Sequence, residues 1–551
     1  MSNAKKSDAA FLLQGSILAV ASIISRIIGL IYRIPLSAII GKQGNDYYGT
    51  AYDIYNIILL ISSYSIPLAV SKLVASRMAN KEAKNAIRVL KGSLVFAVIT
   101  GGSAMVIVYF GADFFTGTLL KTPMASLALR VLAPVLLIVA VVGVLRGFFQ
   151  GLNTMVPSAV SQIFEQIMNA IVSVAAAYAL FSYGKKVGAV LGSSDNYAAA
   201  YGAAGGTLGT ALGALTALFV MIFILVLYMK RFRRKIIRDH SKNVDSYGQI
   251  AKILIVTIIP VLLSTTIYNI SSIFDQGIFK NIVVAQGYAT KDISEWWGAY
   301  TGYYKVLINV PISIASAMAS SVVPSLTSAY QSGDRKLVRR QIHSVTRFIM
   351  MIAFPCTVGL IVLAEPIMSM LFPASNHFDA TMMMVGGIAV LFYSLSTLSN
   401  GLLQGIDRLA IPVKNAAISL VAQALVLVVL LRVFDLRIYA VILANAFYAL
   451  FMCILNGRAV KKYAHTHQNM KKTYLIPAAA SLAMGLLSYL CYRALHALSG
   501  SNMISCICAI LVAVIVYFVV LLLMGGMTRG DLLKIPKGEY LVRIAERLRL
   551  L

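Results

Sequence analysis

The stretch Ser25-Arg26-Ile27-Ile28-Gly29-Leu30-Ile31-Tyr32-Arg33-Ile34-Pro35 decides the fold class, because it places two arginines inside an apolar run from about residue 11 to residue 40. A run of this length can cross about 30 Å of hydrocarbon as a helix. A charge near the bilayer centre costs on the order of 3 kcal/mol, so it usually faces a partner or a wet cavity. Arg26 and Arg33 are about two helical turns apart and therefore share one side of the helix.

The remainder of the chain has the composition of a polytopic membrane protein. Its 551 residues are 59% hydrophobic and only 12% charged, unlike those of a soluble domain. In a soluble protein, the formal net charge of +28 would suggest binding to nucleic acid. Basic residues that flank membrane helices on the cytoplasmic side explain the charge better, so membrane lipids rather than nucleic acid are the predicted partners.

Recurring apolar runs predict an all-α polytopic membrane protein with about 14 transmembrane helices. The predicted spans are 11–40, 47–74, 92–111, 124–146, 157–182, 198–229, 250–276, 296–328, 344–371, 380–404, 411–431, 438–457, 474–496 and 503–525. Most of the 48 lysines and arginines fall on the side that holds the N-terminus. The positive-inside rule therefore predicts a multi-pass protein of the bacterial cell (plasma) membrane with both termini in the cytoplasm.

Two similar turns indicate an internal repeat. Each joins the fourth and fifth helices of a six-helix set, and they read Gly147-Phe148-Phe149-Gln150-Gly151-Leu152-Asn153 and Gly401-Leu402-Leu403-Gln404-Gly405-Ile406-Asp407. A weaker echo relates Tyr47-Tyr48-Gly49 to Trp296-Trp297-Gly298. The repeat predicts two parallel-related six-helix lobes around a central cavity, plus two C-terminal helices. Chance similarity between glycine-rich turns is the alternative explanation.

The repeat and the charge distribution together predict four segments. They are an N-lobe over 1–229 (helices 1–6), a basic cytoplasmic linker over 230–252, a C-lobe over 253–460 (helices 7–12), and helices 13 and 14 with an interfacial tail over 461–551. The tail carries Leu541, Ile544, Leu548 and Leu551 on one face and arginines off it, which is typical of a helix lying in the membrane interface.

Several charges fall at a similar predicted depth in the membrane. Counting about 1.5 Å per residue puts Arg26, Asp53, Lys305 and Arg130 on one level. We therefore expect a net positive cavity in which Arg26 and Lys305 bind an anion and Asp53 is a partial counter-ion. A structural ion pair between Arg26 and Asp53 is the alternative. Arg33 either joins this site or extends to the outer interface.

Two further ionisable residues have less specific predicted roles. Arg130 is expected to form a structural pair with Glu165 of the fifth helix. Asp275 is a candidate cation ligand near the outer end of the seventh helix, with a solvated helix end as the alternative. The chain has no GxxxxGK[ST] phosphate loop, and no cofactor is predicted.

Short motifs in these helices resemble those of a known family. Ile24-Ser25-Arg26-Ile27-Ile28-Gly29, followed by Arg33, is similar to the first-helix motif of the MurJ/SpoVB lipid II flippases, which belong to the MOP (MATE-like) exporter superfamily. Three other stretches also match: Gly44-Asn45-Asp46-Tyr47-Tyr48, Val323-Pro324-Ser325-Leu326 with Gly333-Asp334, and the turn from Gln404 to Lys414. The resemblance covers essentially the whole chain.

The resemblance implies a central cationic cavity that binds the pyrophosphate of an undecaprenyl-linked saccharide. Arg26 and Arg33 match the arginine pair of the first helix, although the second lies one residue further along. Lys305 stands at or next to the arginine of the eighth helix. The second helix departs from the family, because the arginine's place falls near Leu59 and Asp53 is the ion there.

We therefore predict a monomeric transporter, not an enzyme, that flips a lipid-linked oligosaccharide to the outer leaflet by alternating access. Lipid II for cell-wall growth or sporulation is the first candidate cargo, and Na⁺, H⁺ or the membrane potential could drive the cycle. The alternatives are a flippase for another lipid-linked polysaccharide and a MATE-type multidrug/cation antiporter, although a net basic cavity does not suit cations. A membrane enzyme would need a larger outer domain than these short loops provide.

Overall fold

The computed structural model describes residues 2–63, 65–239, 244–466 and 468–527, and the separate residues 529, 542, 543 and 546. Side chains are described for these residues except 2–19, 260–269 and 324. Within these ranges the chain is almost entirely helical and contains no strand. The predicted interfacial helix lies mostly outside them, so its arrangement stays a prediction.

The helical contacts divide the chain into two compact units, Met1–Gly302 and Tyr303–Leu551. The first unit contains α1 (Ser2–Ser62), α2 (Ile66–Ala79), α3 (Ala83–Asp113), α4 (Ser126–Gly151), α5 (Val156–Leu191), α6 (Ser194–Ile237), α7 (Tyr247–Asn269), α8 (Ser271–Ala285) and α9 (Thr290–Ala299). This division differs from the lobe boundary expected at 230–252. That boundary was derived from the internal repeat rather than from contacts, and it stays a prediction.

A π-helical segment, Tyr300–Tyr304, follows α9 and continues into the second unit. That unit contains α10 (Lys305–Gln331), α11 (Arg335–Val362), α12 (Ala364–Leu371), α13 (His377–Gly386), α14 (Ile388–Gly405), α15 (Ala410–Arg432), α16 (Ile438–Ala464), α17 (Ile476–Ser499) and α18 (Asn502–Leu523). A π-helical turn, Lys471–Leu475, precedes α17. Helix α14 packs between α10 and α16, and α17 packs on α11 and α18.

Among the described residues, 11 helices are long and apolar enough to cross a membrane, or 12 if the bent pair α13 and α14 forms one span. The predicted membrane fold is therefore confirmed, but the count of 14 is not. The first two predicted spans fall in one helical stretch, Val20–Ala79. Large apolar side chains such as Phe110 and Phe219 are exposed, as expected where lipid rather than water surrounds a helix.

Helix α1 changes direction at Gly41, whose φ of 67° and ψ of −175° lie outside the helical region. Glycine tolerates this positive φ because it has no Cβ. Carbonyl groups near the break are bonded by a side chain: the Asn45 amide is their hydrogen-bond donor. Its Nδ2 donates to the carbonyl oxygens of Ser37 at 2.9 Å and Gly41 at 2.8 Å. The sequence thus supplies both the glycine that permits the kink and the asparagine whose side chain bonds the nearby carbonyl groups.

The two repeated turns have the same backbone geometry, each within its own unit. Asn153 and Asp407 both adopt positive φ, 57° and 58°. Their amides donate 3.0 Å hydrogen bonds to the carbonyl oxygens of Gln150 and Gln404. This agreement is what the predicted repeat requires, because equivalent residues form equivalent bonds.

Candidate functional site

The two arginines of α1 have different surroundings. Arg26 is exposed, whereas Arg33, two turns later, is half-buried. The Cζ atom of Arg33 lies 4.0 Å from the centre of the Tyr48 ring, within the range of a cation–π interaction. Tyr48 is completely buried and follows the Gly41 kink, which brings the second half of α1 back towards the first. Packing inside the unit therefore positions the Arg33 guanidinium.

Aromatic and polar side chains fix the ring beneath Arg33. Tyr48 stacks on Tyr52 with ring centres 4.7 Å apart, and the Tyr52 hydroxyl is hydrogen-bonded to Thr210 of α6. Next to Arg33, the Tyr32 hydroxyl accepts a 3.3 Å hydrogen bond from Asn169 Nδ2 of α5. Helices α5 and α6 thus hold the part of α1 that presents Arg33. The arginine could be identified from the sequence, but this aromatic support could not.

The remaining predicted anion-site residues are divided between the units. Asp53 is half-buried on α1 in the first unit, together with Arg26 and Arg33. Lys305 is half-buried at the start of α10 in the second unit, directly after the π-helical segment. The structure therefore brings Arg33 together with tyrosines of its own unit. A joint role with Lys305 stays a prediction.

Asp275 is not the solvated helix end that the sequence analysis offered as its alternative. It is only 4% exposed and lies within α8. No group of three or more His, Cys, Asp or Glu residues arranged to hold a metal ion occurs in the described parts of the chain. Asp275 as a cation ligand therefore gains no support from neighbouring ligands of those types.

The expected pairing of Arg130 with Glu165 is wrong. Arg130 Nη2 lies 2.6 Å from Asp113 Oδ2 at the end of α3. Glu165 Oε2 instead lies 2.7 Å from Arg146 Nη2. Both observed pairs join residues on either side of a short connection between consecutive helices. The predicted depth of a residue in the membrane does not identify such partners, because it does not give the direction in which each side chain points around its helix.

A buried polar cluster that the sequence analysis missed joins α1, α8 and α9. Asp46 Oδ1 accepts from Lys280 Nζ at 2.5 Å, and Asp46 Oδ2 accepts from Ser294 Oγ at 2.7 Å. Lys280 Nζ also donates to Thr122 Oγ1. Asp46 and Lys280 are each about 1% exposed. Both residues lie between predicted spans, Asp46 between 11–40 and 47–74 and Lys280 between 250–276 and 296–328, so the span prediction gave no signal of their burial.

Helices α1 and α9 cross closely beside this cluster. A Cβ atom on Gly298 would lie 1.7 Å from the Lys42 carbonyl oxygen, and one on Gly302 would lie 2.1 Å from Asn45 Cγ. Glycine is therefore required at both positions. The Trp296-Trp297-Gly298 stretch, noted as an echo of Tyr47-Tyr48-Gly49, packs directly against the kinked part of α1.

Comparisons with known proteins agree with this architecture. The model of a family described as "Polysaccharide biosynthesis protein" matches residues 12–331, more than half of the chain. The lipid II flippase MurJ of Bacillus subtilis (strain 168) is 24% identical over 488 residues, covering 86% of this chain and 87% of the relative. Stage V sporulation protein B of the same organism is 24% identical over 541 residues, covering 96% and 98%.

Solved structures show the same fold. An inward-facing MATE-family multidrug resistance transporter of the MOP superfamily has a TM-score of 0.62 at 15% identity, covering 81% of this chain and 98% of its own. An inward closed structure of lipid II flippase MurJ has a TM-score of 0.60 at 17% identity, covering 91% and 97%. The MurJ proteins and these structures are flippases and transporters, which agrees with the predicted absence of enzymatic activity. The chain is a multi-pass membrane protein that belongs to the polysaccharide biosynthesis protein family, with the fold of the MOP superfamily.

Proposed function

We propose that this protein flips an undecaprenyl-pyrophosphate-linked saccharide, with lipid II as the first candidate, from the inner to the outer leaflet. The similarity to MurJ over most of both chains supports this cargo class. The similarity to stage V sporulation protein B makes sporulation a second possible setting besides growth. The proposed cycle is alternating access, in which the polar headgroup crosses while the prenyl chain stays in lipid.

The main observation behind the proposal is that the buried Tyr48 ring supports the guanidinium of Arg33. Arg26 and Arg33 share one side of α1, and Arg33 lies 4.0 Å above the buried Tyr48 ring. Guanidinium groups form short, charge-assisted hydrogen bonds with phosphate oxygens, often two at a time. A fixed guanidinium loses less conformational entropy on binding than a mobile one. We therefore assign the diphosphate of the cargo to Arg26 and Arg33.

Lys305 and Asp53 complete the proposed site. Lys305 would add a third cation from α10, and Asp53 would moderate the positive charge so that the headgroup can leave. Both are half-buried and on helices that the sequence places in the membrane. We further propose that both termini are cytoplasmic, that the protein acts as a monomer, and that Na⁺, H⁺ or the membrane potential drives it. The potential supplies about 2.3 kcal/mol per charge for each 100 mV.

Complementation tests the proposal. A bacterium depleted of its own lipid II flippase would carry the wild type, Arg26→Ala, Arg33→Ala, Lys305→Ala or the control Lys462→Gln, in which an exposed charge of α16 is removed. We expect growth with the wild type and the control, and loss of growth with the three site variants at equal membrane abundance. Failure of the wild type to restore growth would reject lipid II as cargo, and rescue by every variant would reject the site.

A MATE-type antiporter is the second candidate, because a MATE-family structure matches this fold with a TM-score of 0.62. The two functions differ in the charge of the transported group. Acidic ligands favour the binding of organic cations, whereas Arg26 and Arg33 present positive charge. Drug susceptibility of a drug-sensitive strain that keeps its own flippase separates the two functions, since an antiporter would raise resistance to cationic drugs in that strain and would not restore growth of the depleted one.

A further inference from the structure

The second unit contains a cavity of about 450 Å³ between α11, α14, α16 and the segment that leads to α17. The residues that line it are Ile342, Thr346, Leu395, Leu398, Ser399, Leu402, Cys453, Gly457, Val460, Lys461, Thr466, Gln468, Met470 and Tyr474. None of them belongs to the proposed cargo site. The cavity therefore needs a separate explanation.

One end of the cavity is polar and incompletely satisfied. Thr466 is 6% exposed, and its Oγ1 has no hydrogen-bond partner in the described structure. Leaving a buried hydroxyl unpaired is unfavourable, and such groups usually have a ligand or ordered water. Gln468 beside it is held in place, because its Nε2 donates to Thr346 Oγ1 at 3.2 Å and its Oε1 lies 2.9 Å from His343 Nδ1.

The charge of the cavity is positive. Lys461 is the one charged residue among the described lining residues, and no carboxylate is among them. The sequence around this end carries further basic residues, namely Arg458, Lys462, Lys471 and Lys472. Basic clusters next to membrane helices attract anionic lipid headgroups. The polar end is therefore suited to a phosphate group.

The other part of the cavity is apolar. Leu395, Leu398 and Leu402 of α14, together with Ile342 of α11, form its apolar wall. A small soluble anion would leave this wall uncovered, whereas a hydrocarbon chain would cover it. We propose that the cavity binds an anionic glycerophospholipid, with its phosphate at Lys461 and Thr466 and an acyl chain along the α14 leucines.

Gly457 provides a way to block the cavity. It lines the cavity on α16, and a Cβ atom added there would meet nothing within 4 Å. Its backbone is helical, so other residues are allowed. Gly457→Leu would place a side chain in the space of the ligand, while Gly457→Ala would add one methyl group and leave most of the space open.

The experiment measures lipid retention by native mass spectrometry on the purified full chain in detergent. Phosphatidylglycerol would be compared with phosphatidylcholine of the same acyl chains, with inorganic phosphate as a competitor. We expect the wild type to retain phosphatidylglycerol about tenfold better, Lys461→Gln to lose about tenfold in affinity, and Gly457→Leu to lose binding. Gly457→Ala, and Lys186→Gln at an exposed position of α5, should resemble the wild type.

Equal retention by the wild type, Gly457→Leu and Lys461→Gln would reject this cavity as the site. Complete displacement by millimolar phosphate would mean that the ligand is a soluble anion and would reject the lipid. Lys461 is exposed, so Lys461→Gln keeps the test decisive if Gly457→Leu does not fold. None of these measurements depends on flipping, so they separate this inference from the proposed function.

Discussion

Lys280 of α8 and Asp46 of α1 form an ion pair inside the first unit, with their side chains only 2% and 1% exposed. Ser294 and Thr50 donate further hydrogen bonds to Asp46, and Thr122 accepts one from Lys280. Such a pair needs good geometry, because removing two charges from water is costly. The satisfied hydrogen bonds explain how a lysine can lie in this interior.

Removal of one partner alone should therefore be strongly destabilising. We expect Asp46→Asn or Lys280→Met to lower the free energy of unfolding by about 3–5 kcal/mol, because each leaves an uncompensated buried group. The double variant should recover a large part of this loss. Thermal unfolding in detergent, analysed as a double-mutant cycle, measures the coupling between the two residues.

The exposed pair of Arg130 and Asp113 is the matched control, since its side chains are 41% and 68% exposed. Asp113→Asn should change stability by less than about 1 kcal/mol. Equal effects of Asp46→Asn and Asp113→Asn would contradict the assigned role of the buried pair.

The support that Tyr48 gives to Arg33 should affect headgroup binding. Tyr48→Phe keeps the aromatic face, whereas Tyr48→Leu removes it, and a cation–π contact is worth about 0.5–2 kcal/mol. If the proposed function holds, we expect Tyr48→Leu to weaken binding of a pyrophosphate-linked lipid severalfold, with Tyr48→Phe close to the wild type. Titration in nanodiscs measures this difference, and equal affinities of the two variants would exclude the aromatic support.

The membrane fold and the position of the first arginines could be predicted from local patterns. Apolar runs identify spans, and the seven-residue spacing places Arg26 and Arg33 on one side of a helix. The contact of Arg33 with Tyr48 could not be predicted in the same way. It depends on the Gly41 kink, which brings together residues 15 positions apart, and periodicity assumes a straight helix.

The ion-pair partners of the other charged residues could not be predicted from the sequence either. The expected pair of Arg130 and Glu165 does not form, because each of the two pairs with a different residue. Lys280 falls between the predicted spans 250–276 and 296–328, yet it is buried beside Asp46. Depth and composition describe one dimension of a helix bundle, whereas ion pairing depends on the rotation of each helix and on contacts distant in sequence.

The close crossing of α1 and α9 should make Gly298 intolerant of any side chain. A Cβ atom there would lie 1.7 Å from the Lys42 carbonyl oxygen, so Gly298→Ala must separate the two helices. We expect a large loss of thermal stability or of folded yield, measured by size-exclusion chromatography and unfolding in detergent.

Gly102 of α3 is the control for this prediction, because a Cβ atom there would meet nothing within 4 Å. Gly102→Ala should stabilise the protein by roughly 0.5–1 kcal/mol, as alanine is the better helix former. A Gly298→Ala variant as stable as the wild type would show that this crossing is not required.

Two acidic residues within the predicted linker 230–252, Asp239 and Asp245, should protect it from proteolysis. Asp239 Oδ2 accepts a 2.7 Å hydrogen bond from the Lys84 amide in the first turn of α3, and Asp245 Oδ2 lies 2.7 Å from Arg77 Nε. A side-chain acceptor at a helix start contributes about 1 kcal/mol, so Asp239→Ala combined with Asp245→Ala should loosen both attachments. We expect trypsin to cleave after Arg238 severalfold faster in this variant, whereas Asp195→Ala, at an exposed position of α6, should leave the cleavage rate unchanged. Identical rates in all three proteins would mean that these two carboxylates do not attach the linker to the α2–α3 region.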